Sequence, residues 1–299
     1  MDSAVPLRKL AAWIRPEPLA AVILWGGIYP AAKLGLAEIP PLAFTYMRVV
    51  LAAAVLAAAA QVSRRVPASR DLRVALLGAG IAQAAFQLLL IGGLARTTAG
   101  TSAILLAASP LMTAGWLGLT ARDRVPGRHW AGLAVGLAGV ALVVRGGSAG
   151  FDRTFLVGDL LALAAAAAWA LYSLAIEPLA GALGGIRSTG WAMAIAGAIL
   201  TPFALGGTAR LAWSTISPAA WSGLIYGATA GMVVAMTLWG RSMHALGARQ
   251  TMVYVYMEPV SAVLIAAALL GEALRPEQAV GALLTFAGVW LASTGQTRY

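Results

Sequence analysis

Ten long apolar runs, each bounded by charge, glycine or proline, organise this chain. The first five cover Pro18 to Leu36, Pro41 to Gln61, Leu72 to Leu94, Thr97 to Thr120 and Trp130 to Val144. The second five cover Phe155 to Ile176, Ser188 to Leu205, Ala219 to Gly240, Leu246 to Leu270 and Pro276 to Thr294. A bilayer core takes about 20 apolar residues per helix. Backbone polar groups in lipid must be satisfied within a helix or around a closed barrel, and runs this long without strict alternation specify helices. The expected fold class is therefore all-α and integral to the membrane, with ten transmembrane helices.

The runs repeat. At an offset of 149, Pro110 falls on Pro259, Gly132 on Gly281, Ala138-Gly139-Val140 on Ala287-Gly288-Val289 and Asp123 on Glu272; at an offset of 144, Trp25 falls on Trp169. The expected halves are 1–146 and 147–299. Five helices is an odd number, so the second half enters the membrane from the side opposite to the first. Such inverted repeats recur in secondary transporters, where two halves of opposite topology expose one central site to either side in turn.

Composition agrees with lipid as the main solvent, since 60% of the 299 residues are hydrophobic and 11% charged, against roughly 25% charged in soluble domains. The net charge of +10 sets topology and implies no nucleic-acid partner, because most of the 19 Arg and two Lys sit in short turns and they form no single patch. With the N-terminus in the cytoplasm, fourteen of these cations fall on the cytoplasmic side and six on the other, with Arg48 left inside segment 2, which orients both termini inward. The bias to Ala, Leu and Arg suits a bacterial inner membrane. There is no Cys, no His-Glu-x-x-His metal motif and no nucleotide-binding Gly-rich loop with Lys. No metal, no cofactor and no enzyme activity is expected.

Candidate solute-handling residues are those costly to leave in hydrocarbon or spaced along one helix face. Trp25, Tyr29 and Lys33 follow an i, i+4, i+8 spacing on segment 1, and the repeat mate Trp169 brings Tyr172 and Ser173. Segment 3 carries Gln83, Phe86 and Gln87, where the repeat places Met232 and Met236. Two amides in a span must bond to neighbours or face water. Glu258 is the acid expected deep within a span, with Gln250 and Tyr254 on its face, and Arg48 needs an acid, a carbonyl or water. Lys33 and Arg48 are thus candidate charge partners of a solute. Packing is the competing reading for every one of these side chains. Pro110 and Pro259, expected in mid-helix, each remove a backbone hydrogen bond and are candidate hinges. Gly223, Gly227 and Gly231 on segment 8, and Gly132 and Gly136 on segment 5, read as packing seams. The expected state is a monomer in the bilayer, with segments 5 and 10 the place for a dimer if one forms.

Leu24-Trp25-Gly26-Gly27 with Lys33, Arg48, Glu258-Pro259, Leu270-Gly271-Glu272, and Gly281 with Ala287-Gly288-Val289 together resemble the drug/metabolite transporter superfamily. The likeness is to its ten-helix exporters with two EamA-type repeats and covers nearly the whole chain. Thr120-Ala121-Arg122-Asp123 departs from the Leu-Gly-Glu pattern of the repeat, with Asp123 standing for the acid. The resemblance implies an exporter of small amphiphilic metabolites, amino acids first and aromatic ones favoured, working by alternating access around a central cavity. Export of other metabolites or drugs, and a membrane scaffold that transports nothing, are the alternatives.

Overall fold

The computed structural model describes residues 15–59, 69–94, 96, 105–120, 125–145, 156–270 and 276–293. Each expected segment holds helix: α1 (Pro16–Leu36), α2 (Pro41–Ala59), α3 (Arg70–Leu94), α4 (Ser109–Leu119), α5 (Gly127–Arg145), α6 (Leu156–Leu183), α7 (Gly185–Ala209), α8 (Pro218–Leu246), α9 (248–270) and α10 (Pro276–Ser293). No strand occurs among the described residues. By length and composition α1, α2, α3, α6, α7 and α8 can each cross a membrane. Large apolar side chains such as Leu77, Ile81, Phe203, Leu283 and Trp290 point outward, as a surface bathed in lipid requires.

Prolines set where the helices bend. Pro30 cannot donate to Gly26 O, and α1 divides there into Pro16–Gly26 and Ile28–Leu36 with a turn at Gly27. Pro259 cannot donate to Val255 O, and α9 tightens just before it into a 3-10 stretch, Val253–Tyr256, followed by Met257–Leu270. Pro110 is corrected from mid-helix to the first turn of Ser109–Leu119, where the missing N–H is harmless; the fourth segment before Leu105 lies outside the described residues. Both hinge candidates therefore share one local position, the first turn after a break. Pro178 has the opposite outcome. The sequence reading stops segment 6 at Ile176, yet α6 runs through Pro178 to Leu183. Glu177 thus also lies in this helix, near its end and beside the Gly247 turn.

Two single-residue turns, Gly184 between α6 and α7 and Gly247 between α8 and α9, take φ of 81° and 79°, a left-handed conformation that suits glycine. Much of the helix packing recurs when the halves are exchanged, although the contact of α8 with α6 has no comparable one between α3 and α1 among the described residues. α3 lies on α6 as α8 lies on α1, α4 on α6 as α9 on α1, and α3 on α7 as α8 on α2, while α2 with α7 and α5 with α10 pair across the exchange. The α5–α10 seam is built on glycine: a methyl at Gly132 would strike Ala292, one at Gly139 would strike Thr285, and one at Gly288 would strike Gly136. His129 closes one end of it with Nδ1 3.1 Å from Ala292 O.

Candidate functional site

An aromatic layer fills the middle of the bundle. Trp25 of α1 meets Trp169 of α6 edge-on at 5.1 Å and Trp239 of α8 at 5.0 Å. Phe86 of α3 lies 5.1 Å from Trp169, which stacks on Tyr172 at 5.3 Å. Such spacings are those of favourable ring pairs, and Trp25, Trp169, Tyr172 and Trp239 are all buried. The sequence-predicted Trp25, Phe86, Trp169 and Tyr172 are thus brought together, but against one another. Trp239 was missed, although Leu238-Trp239-Gly240 repeats the triplet Leu24-Trp25-Gly26.

Polar anchors hold the layer in register. The Trp25 indole N–H donates to Gly231 O at 3.0 Å, and that of Trp239 donates to Ser173 Oγ at 3.3 Å. Gly231 lies in a π-helical stretch, Gly227–Ala235, inside α8. There the backbone is widened, and such stretches are frequent at functional sites. The glycines of α8 do form seams: methyls at Gly223 and Gly231 would strike Ala31 and Ile28 of α1, and one at Gly227 would strike Arg48. Tyr226 also donates to Leu24 O at 3.1 Å.

The remaining candidates divide. Gln83, Gln87, Met232 and Met236 are buried, and Gln83 Oε1 has no hydrogen-bond partner among the described residues. Arg48 is buried on α2, its guanidinium carbon 5.0 Å from the centre of the Phe44 ring. The Tyr254 hydroxyl accepts from the backbone N–H of Arg15 at 3.0 Å, where α1 begins. Glu258 is half-buried in the first turn of Met257–Leu270. The side chains of Tyr29 and Lys33, with Asp123, Gly271 and Glu272, lie outside the described residues.

The two ends of the bundle differ. At the end where α1 starts, a cavity of about 640 Å³ is lined by Glu17, Arg187, Arg241 and His244 with the α6–α7 turn and Ala59. Glu17 pairs with Arg241 at 3.1 Å across it. At the end where α8 starts, Glu38 closes on Ser217, accepting from its N–H at 2.7 Å and its hydroxyl at 2.6 Å. Those two bonds hold the Glu38 carboxyl below the usual carboxylate range. None of these residues was singled out in the sequence, because ordinary loop charges carry no periodic signal.

The geometry is that of a bundle with a charged cavity at one end, a packed aromatic middle and a carboxylate–serine contact at the other. Comparison with known proteins agrees with a transporter. The chain is 28% identical to a "Probable terminal-alkyne amino-acid exporter" of Streptantibioticus cattleyicolor over 90% of each chain. It is 29% identical to an uncharacterized transporter of Archaeoglobus fulgidus, over 92% of this chain and 95% of that one. It is 27% identical to a "Probable amino-acid metabolite efflux pump" of Escherichia coli, over 91% and 92%. A crystal structure 22% identical in sequence shares the fold with a TM-score of 0.76, over 92% of this chain and 94% of that one. The model of the EamA-like transporter family matches twice, at residues 18–145 and 156–294, and the chain belongs to that family as a multi-pass membrane protein of two-repeat fold.

Proposed function

We propose that this chain is a secondary exporter of small amphiphilic metabolites, amino acids first and those with flat apolar side chains favoured. The observation that carries this reading is the aromatic layer of Trp25, Phe86, Trp169, Tyr172 and Trp239, which stands beyond the charged cavity. Ring faces offer stacking and apolar area to a solute that displaces their mutual contacts. Two relatives whose names refer to amino-acid export support the class. In this reading the halves are 1–146 and 147–299, both termini are cytoplasmic, and the open cavity faces the cytoplasm of a bacterium across its inner membrane. α4 and α9 swing at Pro110 and Pro259 as the central site passes from one face to the other.

The test is transport into proteoliposomes of a labelled panel holding aromatic amino acids, aliphatic amino acids and sugars. Aromatic amino acids should move fastest. Movement of sugars with no amino acid moved would overturn the reading in favour of another metabolite class.

A further inference from the structure

Arg48 is a buried cation with no counter-ion among the described residues. Its Nε has no hydrogen-bond partner, and no carboxylate lies within ion-pair distance of it among the described residues. The ring of Phe44, one turn earlier on α2, faces the guanidinium on one side. On another lies Gly227, where a methyl would meet Arg48 Cδ at 2.7 Å and Nη1 at 3.3 Å. The glycine leaves a slot in α8 that the arginine occupies. An arginine this deep neither loses its proton nor reaches the surface, so its charge persists inside the bundle. A structural arginine would be matched by an acid or by carbonyls; among the described residues neither is found.

We propose that Arg48 receives the carboxylate of the transported solute. This rests on the amino-acid reading above and narrows it to solutes that carry a carboxylate. The planar guanidinium fork fits a carboxylate in two parallel hydrogen bonds. Position along α8 sets the rest of the solute. Gly227 lies one turn from Gly231, which binds Trp25, and Trp239 and Arg241 follow toward the open cavity. One helical turn is about 5 Å. A solute whose carboxylate and flat apolar group lie that far apart meets Arg48 and the Trp25 ring together, and an α-amino acid with a ring on its β-carbon has this span. The aromatic layer lies between Arg48 and the cavity, so the solute must part the rings to reach the charge.

The experiment compares uptake of labelled phenylalanine and phenylalaninamide by proteoliposomes carrying the parent, R48Q, R48K or G227A. With the assay held at about pH 6, below the α-amine pKa, the amide keeps the ring and the ammonium and replaces the carboxylate by an uncharged carboxamide. The parent should prefer the acid by tenfold or more, R48Q should bring the acid down to the rate of the amide while leaving the amide unchanged, and R48K should keep part of the preference. G227A retains the charge but displaces the guanidinium and should also lower the preference; it decides the matter if R48Q does not fold. A preference kept in R48Q, or in G227A where R48Q is lost, overturns the proposal and leaves amino-acid export standing. Equal loss of both solutes in folded R48Q likewise overturns it. A parent that moves neither solute overturns the amino-acid reading itself.

Discussion

α3 and α8 hold equivalent places in the two halves, yet they are built differently. At the offset of 149, Gly78 corresponds to Gly227 and Gln83 to Met232. α3 is regular α-helix from Arg70 to Leu94, whereas α8 changes to π-helix over Gly227–Ala235. A methyl at Gly78 meets nothing within 4 Å, while one at Gly227 runs into Arg48. The difference teaches that the repeat keeps most of its helix contacts while changing what those contacts are made of. α3 places amides in the core on a regular backbone. α8 places glycines and Met there, and its irregular backbone offers Gly231 O to Trp25 and a slot to Arg48.

The contrast breaks most visibly by adding bulk at the two glycines. Gly227→Leu forces a side chain into Arg48 and the α2–α8 contact, and overpacking of this kind costs about 1–3 kcal/mol or more. Gly78→Leu, on an exposed face, replaces glycine with a better helix former and should be neutral or stabilising by up to roughly 1 kcal/mol. Thermal unfolding of the two purified variants in detergent measures both. Equal losses would show that the slot at Gly227 is not specific.

A smaller effect separates the repeat mates Trp25 and Trp169. Phe at either position keeps a ring and loses similar volume, but only Trp25→Phe abandons a hydrogen bond found in the structure, leaving Gly231 O short of its indole donor. Trp25→Phe should therefore cost about 1–2 kcal/mol more than Trp169→Phe. Matching melting temperatures would mean that the π-helical carbonyl finds another donor.

What the sequence reveals follows from which features are periodic. Helix placement was legible because apolar runs near 20 residues have few other meanings, and the pairing of Trp25 with Trp169 was legible because tryptophan is rare enough to align by eye. The π stretch was not, since a widened helix leaves no spacing of its own and Gly227 and Gly231 read equally well as a seam. Pro178 misled in the other direction: it loses a single bond to Leu174 O, and a span held by neighbours tolerates that loss. The side-chain surroundings of Arg48 were out of reach for a different reason. A lone arginine in a span reveals a need for a partner and gives no sign of whether one is supplied. That takes the packing of α2 on α8.

Gln83 sharpens the comparison in the opposite direction. Its buried Oε1 lacks a partner among the described residues, and Met stands at the equivalent place in α8. Gln83→Met gives α3 the chemistry of α8 and removes an unsatisfied acceptor at similar volume. It should raise stability by up to about 1 kcal/mol. If the amide serves the solute, transport of amino acids should fall in the same variant. A gain in both would assign Gln83 to neither packing nor transport.

The smallest effect tests the two ends that α8 joins. Glu38 accepts from the Ser217 hydroxyl and N–H at the start of α8, and near its other end Arg241 pairs with Glu17. The Glu38 carboxyl is held below its usual range by the Ser217 hydroxyl first and the Ser217 N–H second. A folded-state value below the unfolded one contributes stability above the ordinary carboxylate pKa, and that contribution is lost as pH falls through the depressed value. The Glu38 latch should therefore hold from neutral pH into mild acid and release below the ordinary carboxylate range. Glu38→Gln should melt slightly lower than the parent at neutral pH, by less than any shift above, and the two should converge in strong acid. The pair at the other end is solvent-exposed, so added salt should weaken it, while the latch, made of short hydrogen bonds to an uncharged serine, should resist salt. Cysteines placed at Ala37 and Ala59 report the two ends separately: Glu38→Gln should speed labelling at Ala37 and leave Ala59 unchanged, and salt should do the reverse. Labelling that rises at both ends together would mean that α8 moves as one rod, and that its π stretch does not uncouple them.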